Sequence, residues 1–92
     1  MNQSANQAVD LMKVLGNRDR MMLLCEINQG ERCVSELEEL LEIHQPTLSQ
    51  QLTVLRKKKL VKTRREGKQI YYSASSPIAM SVMALLYQNY CK

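Results

Sequence analysis

Apolar residues along the chain recur with a helical period over most of its length. Ala8, Leu11, Met12 and Leu15 fall at i, i+3, i+4 and i+7, which predicts a helix over about Gln7 to Leu15 that Gly16 ends. Asn17 is a good cap for a second helix with Asp19 in its first turn, running to about Gln29 and stopped by Gly30. Its apolar positions are Met21, Leu24 and Cys25 on one face, with Leu23 and Ile27 beside it. A short third helix over Val34 to Leu41 uses Val34, Leu37, Leu40 and Leu41. Glu42-Ile43-His44 then form a tight turn, and Pro46 suits the first position of a fourth helix, where its missing N–H costs nothing. In that helix Leu48, Leu52 and Leu55 are spaced to face the core. After Leu60 the period changes: Val61 to Glu66 and Gln69 to Ser73 read as two strands, with Gly67 supplying positive φ at the hairpin tip. Ser76 and Pro77 start a last helix to about Tyr90, with Ile78, Val82, Leu85 and Leu86 in one stripe that Ala79, Met83, Tyr87 and Tyr90 widen.

Two helices joined by so short a turn make a helix-turn-helix, and the hairpin after it makes a wing. The expected fold is mainly α with a small β-hairpin, a winged helix-turn-helix in the order α-α-α-α-β-β-α, with all 92 residues in one domain. The first and last helices are more apolar than so small a domain needs. Core packing could absorb both, but packing against a second copy is the favoured reading.

Composition sharpens this picture in three ways. No run reaches the ~18 apolar residues of a membrane span, and Met1 to Gln7 carries no apolar signal core, so a cytoplasmic protein is expected. In that compartment Cys25, Cys33 and Cys91 are expected as thiols rather than structural staples. The net charge of +4 is unevenly placed: Arg56, Lys57, Lys58, Lys59, Lys62, Arg64, Arg65 and Lys68 stand against Glu66 alone, a net +7 in thirteen residues, while the rest of the chain carries −3. A solvated charged face is the bland explanation. A dense cluster of one sign on an otherwise acidic chain points instead to a polyanion, and so to nucleic acid.

Leucines turned inward on the fourth helix leave Thr47, Gln50, Gln51 and Val54 pointing outward, with Gln45 and Ser49 at the margin. Gln can bond adenine bidentately in the major groove, Ser and Thr can serve bases or phosphates, and the helix N-terminus favours a phosphate. Arg56 lies at the far end of the helix; Arg64, Arg65, Lys68 and Gln69 flank the hairpin tip, placed to reach the backbone or minor groove. Lys57, Lys58 and Lys59 fit DNA or solvent equally well. No acid/base pair, Gly-rich phosphate loop or nucleophile with a His is present, so no enzyme and no cofactor are expected. A winged helix used only for protein contacts is the competing class, against which the basic wing argues.

The segments Leu11-Met12-Lys13-Val14-Leu15-Gly16-Asn17, Gln45-Pro46-Thr47-Leu48-Ser49-Gln50-Gln51-Leu52 and Val54-Leu55-Arg56, with the Lys68-Gln69-Ile70-Tyr71-Tyr72 strand, resemble the ArsR-type winged helix repressors over nearly the whole chain. The resemblance implies a homodimer built through the first and last helices, bound to a palindromic double-stranded operator with its recognition helices in successive major grooves. One departure stands out. The family usually has Gly between the recognition helix and the first wing strand, where this chain has Lys59; a left-handed backbone there would cost about 1 kcal/mol.

Zinc-sensing members use Asp and His on the last helix. This chain has no His there, and its only one, His44, lies in the turn. Members that sense metal or arsenic through thiolates often carry Cys-Val-Cys on the third helix, which here is Cys33-Val34-Ser35. Met22-Leu23-Leu24-Cys25 and Leu86-Tyr87-Gln88-Asn89-Tyr90-Cys91 are similar to the cysteine segments of the sulfide- and persulfide-responsive branch. That resemblance implies Cys25 and Cys91 as a redox-sensing pair, reactive sulfur species as the effector, and loss of DNA affinity on oxidation, in control of sulfide detoxification genes. On its residues alone Cys25 could equally be a small core filler, and Cys33 reads as an accessory thiol. The alternative is a metal- or arsenite-responsive repressor in which three thiols trap a soft ion.

Overall fold

The computed structural model describes residues 2–90. Its elements are α1 (Asn2–Leu15), α2 (Arg18–Gln29), β1 (Arg32–Cys33), α3 (Val34–Leu41), α4 (Thr47–Lys57), β2 (Val61–Glu66), β3 (Gln69–Ala74) and α5 (Pro77–Tyr90). This is the winged helix-turn-helix expected, with one addition. The two residues of β1, too short to show any periodicity, pair antiparallel with β3 and give a three-stranded sheet in the order β1-β3-β2.

Local chemistry accounts for the element ends. The Asn17 side chain accepts the Arg20 amide at 3.0 Å and caps α2. The Ser76 hydroxyl accepts the Ala79 amide at 3.2 Å, with Pro77 as the first residue of α5. Gly67 has φ 62° at the first central position of the two-residue hairpin loop, where only glycine is at ease. Two expected signals act differently. Gly30 ends α2 in extended rather than left-handed backbone. Pro46 stands one residue before α4, at its cap. α1 also begins five residues earlier than its apolar stripe suggested.

The end of α4 is a complete helix-terminating motif. The Lys59 amide donates to Arg56 O and the Leu60 amide to Leu55 O, each at 3.0 Å, with Lys59 left-handed at φ 62°. Leu55 and Leu60 are both buried and make the apolar contact that usually accompanies this motif. The departure read at Lys59 is therefore a left-handed lysine, further tied by the Ser75 hydroxyl donating to its carbonyl at 3.0 Å.

The core sits where α2, α3 and α4 meet the sheet. Leu15, Leu23, Ile27, Leu37, Leu48, Leu52 and Leu55 are fully buried, and each such side chain contributes about 1.5–3 kcal/mol. Several apolar stripes read from the sequence divide between the core and the surface. On α1 Val14 is buried and Met12 exposed; on α3 Leu40 is exposed; on α5 Ala79 and Met83 are buried while Ile78 and Leu85 are exposed. Val54, expected to point outward on α4, is half-buried against the core. Exposed apolar residues remain on the outer helices, Val9 and Met12 on α1 and Ile78, Leu85 and Tyr90 on α5.

Candidate nucleic-acid interface and cysteine cleft

α4 is fixed from both sides before it meets any ligand. Its three leucines anchor it inward. At its start, Gln45 Oε1 accepts the Ser49 amide at 3.1 Å. Gln50 and Ser49 are exposed, and Thr47 is half-buried. Gln51 is also half-buried, and its Oε1 accepts from Arg20 Nη1 at 3.0 Å. A bidentate adenine contact needs both the oxygen and the nitrogen of the amide, so Gln50 rather than Gln51 is the glutamine placed to make one. Arg20 also donates from Nε to Val14 O at 2.8 Å and from Nη2 to Lys13 O at 3.3 Å. One guanidinium thus joins the end of α1, the start of α2 and the recognition helix.

Beyond Gln50 the surface continues as cations. Arg56, Lys57, Lys58 and Lys59 are exposed. Thr53, Arg56 and Lys57 share an open hollow of about 390 Å³ with Tyr72 of β3. The wing lies on the far side of that hollow. Its register pairs Val61 with Ala74, Thr63 with Tyr72 and Arg65 with Ile70, a row whose inner end packs on the core. Lys62–Ser73, Arg64–Tyr71 and Glu66–Gln69 alternate onto the opposite face. Arg65 Nε donates to Gly67 O at 3.3 Å, and Arg65, Lys68 and Gln69 are exposed at the tip.

Arg64 is engaged by side chains of its own chain at the surface. Its Nε and Nη2 donate to the two Glu31 carboxylate oxygens at 2.8 and 2.7 Å, and its Nη1 donates to Glu66 at 2.6 Å. The guanidinium also lies 4.6 Å from the centre of the Tyr71 ring. Those hydrogen bonds, Glu31 first, raise the Arg64 pKa further above its ordinary value and hold the Glu31 carboxyl below the usual range. Glu36 is likewise lowered, chiefly by the Cys33 backbone N–H, which donates to it at 2.9 Å at the start of α3.

Cys25 is half-buried on α2. It lines an apolar cleft of about 250 Å³ with Met21 and Met22 on its own helix and Met83, Leu86, Tyr87 and Tyr90 on α5. Gln29 Nε2 approaches its Sγ at 3.9 Å. Cys91 lies outside the described residues, directly after Tyr90. Cys33 is elsewhere, buried at the start of α3 with its Sγ 3.2 Å from Ser35 Oγ. His44 is exposed in the turn, 3.7 Å from Glu38. Among the described residues no three His, Cys, Asp or Glu side chains come together as a metal site, and no helix is long and apolar enough to cross a membrane.

Arg20, Glu31 and Tyr71 are the residues that sequence reasoning missed. Arg20 meets Gln51 from thirty-one residues away, and Glu31 meets Arg64 from thirty-three. No local spacing announces either pair.

A recognition helix held by its leucines, a basic hairpin beside it and an exposed polar edge between them define a winged helix-turn-helix DNA-binding regulator. Residues 17–63 match the family described as bacterial regulatory protein, arsR family. The chain is 46% identical over 91 residues to the biofilm growth-associated repressor of Agrobacterium fabrum, covering 99% of this chain and 78% of that protein. It is 37% identical over 92 residues to the transcriptional activator HlyU of Vibrio cholerae, covering 100% of this chain and 85% of that one. Among solved structures, reduced HlyU from Vibrio cholerae superposes with a TM-score of 0.96 at 37% identity, covering 100% of this chain and 97% of that one. The repressor BigR from Xylella fastidiosa superposes at 0.88 with 44% identity, covering 99% and 90%. The chain belongs to the ArsR family of DNA-binding transcriptional regulators.

Proposed function

We propose that the chain is a homodimeric repressor that leaves its palindromic operator when reactive sulfur species join Cys25 to Cys91. The cleft carries this reading. Cys25 shares about 250 Å³ of apolar space with the end of α5, up to the residue before Cys91. Relatives over nearly the whole chain include proteins named as repressors, and a structure of one relative is described as reduced.

The chemistry balances with two thiols and one hydropersulfide. A thiolate of the pair attacks the outer sulfur of R–S–SH and releases R–SH, leaving a protein persulfide. The second thiolate attacks the inner sulfur of that persulfide, forms the disulfide and expels hydrogen sulfide. Two thiols are oxidised and the S–S bond of the donor is reduced. A second donor equivalent leaves a longer sulfur bridge. The link acts as a switch because it favours the state that does not bind DNA.

In the DNA-binding state, Gln50 reads bases. Thr47, Ser49, Gln45 and Gln51 border it at the N-terminal end of α4, and Arg56, Arg65, Lys68 and Gln69 hold the backbone. The exposed apolar residues of α1 and α5 form the dimer contact. The metal- or arsenite-responsive alternative draws on Cys25, Cys33 and Cys91, of which Cys33 is buried with its sulfur beside Ser35.

The test is operator binding by the reduced protein, repeated after a persulfide donor, hydrogen peroxide, zinc, cadmium or arsenite, with intact mass for each. The expected result is release by the donor with a Cys25–Cys91 crosslink. A full response in Cys25→Ser or Cys91→Ser would overturn the dithiol mechanism. Release by metal or arsenite with a bound ion and no Cys25–Cys91 crosslink would favour the alternative.

A further inference from the structure

Adjacent arginines of β2 have different surroundings, although the sequence offers them as a pair. Strand alternation sends Arg65 and Arg64 to opposite faces of the sheet. Arg65 donates to the carbonyl of Gly67 at the hairpin tip. Arg64 forks onto both oxygens of Glu31, bonds Glu66 and lies over Tyr71. Two carboxylates therefore already compensate its charge. A phosphate could take it only by displacing a two-point charge-assisted contact.

Glu31 stands between the end of α2 at Gln29 and the start of β1 at Arg32. Cys33 of β1, Tyr71 of β3 and Arg64 of β2 form one cross-strand row, and Arg64 runs back along it to Glu31. The contact thus closes the outer strand of the wing onto the chain leaving α2. The hairpin is otherwise joined to the body by the ladder and by the inner row at Val61, Tyr72 and Ala74.

We infer that Arg64 is a positioning residue that latches the wing through Glu31, and that it makes no phosphate contact of its own. The inference rests on the reading that the wing touches DNA. The side chains are partly exposed, 51% for Arg64 and 32% for Glu31, so the latch is of the modest surface kind. Its loss is expected to weaken operator binding about two- to five-fold.

The experiment measures operator affinity across a salt series for Arg64→Ala, Arg64→Lys, Glu31→Ala, the Arg64→Ala/Glu31→Ala double variant and Arg65→Ala, with a thermal melt of each to confirm folding. A latch predicts that Arg64→Lys is not rescued, because an ammonium cannot make the planar two-point contact. Glu31→Ala also weakens binding, although removing a carboxylate near DNA should by bare electrostatics strengthen it. The double variant is no worse than either single variant. The slope of log K against log[salt] stays at the parent value for Arg64→Ala, while Arg65→Ala reduces it by about 0.9. Rescue by Lys, tighter binding in Glu31→Ala, or a slope change of about 0.9 in Arg64→Ala would make Arg64 a phosphate contact and overturn the latch. Parent affinity and slope in Arg65→Ala would remove the wing reading, and the latch with it. An Arg65 effect beside silent Arg64 and Glu31 variants would remove the latch alone.

Discussion

Lys59 offers the sharpest test of how the recognition helix is terminated. It holds φ 62° between two hydrogen bonds that close α4, and its side chain is exposed. A left-handed non-glycine residue carries a penalty of about 1–2 kcal/mol, which glycine would relieve. Glycine gives back about 0.4–1 kcal/mol by loosening the unfolded chain. Lys59→Gly should therefore stabilise by roughly 0.5–1 kcal/mol, or about 3–6 °C in a domain of this size. Lys59→Asn removes the same charge and also tolerates the left-handed region, so it should shift the melting temperature upward by less. Lys58→Gly is the matched control: the same residue type one position earlier, at φ −82° and with its amide bonded to Val54 O. It should lose about 0.5–1 kcal/mol. The assay is thermal unfolding by circular dichroism at one fixed protein concentration, since association would otherwise move the midpoint. A fall in melting temperature for both Lys59 variants would refute the reasoning. It would mean that the lysine side chain contributes more at this site than its backbone conformation costs.

Four further outcomes follow from the geometry. Glu31 and Glu36 titrate below their ordinary value of 4.5 in the folded chain, so they add stability above that pH. That stability should drain away as the pH falls through their lowered values, and acid titration of Glu31→Gln should show a shallower loss than the parent. Leu52→Ala, at a site with 1% exposure, should lose about 2–5 kcal/mol in denaturant unfolding; a loss under 1 kcal/mol would contradict the packing described. Gln50→Ala should relax base preference in a competition against mutated operators, whereas Arg65→Ala should weaken all sequences alike; equal effects on specificity would contradict that division. Leu85→Glu, which alters an exposed apolar residue of α5, should leave the far-ultraviolet spectrum intact and shift sedimentation toward monomer. Unchanged sedimentation would remove α5 from the dimer contact.

The parts of the fold legible in the sequence are those fixed by local chemistry. Asn17, Ser76, Pro77 and Gly67 act within three residues of themselves, and the structure uses each as its type suggests. The Leu48, Leu52 and Leu55 spacing is unambiguous because its neighbours on α4 are mostly polar. The same method assigns no inner face to α5, since Ile78, Ala79, Val82, Met83, Leu85 and Leu86 surround that helix with apolar groups. Periodicity then gives no direction, and the small Ala79 and flexible Met83 are the ones that fit against the body. At the interface the basic cluster was legible as charge, but not which of its members is already spoken for. Arg64 and Arg65 differ only through partners that meet across the fold.

The Arg20 contacts bear on where DNA release can originate. Its guanidinium holds the last carbonyls of α1 and the amide of Gln51 at once. Within a protomer, the reading head is therefore pinned to the outer helix and cannot pivot alone without breaking those bonds. In the proposed dimer seated on α1 and α5, two such units would move as solid pieces. A few degrees of tilt at the seam, amplified by the length of each lever, would carry the heads out of step with the pitch of the double helix.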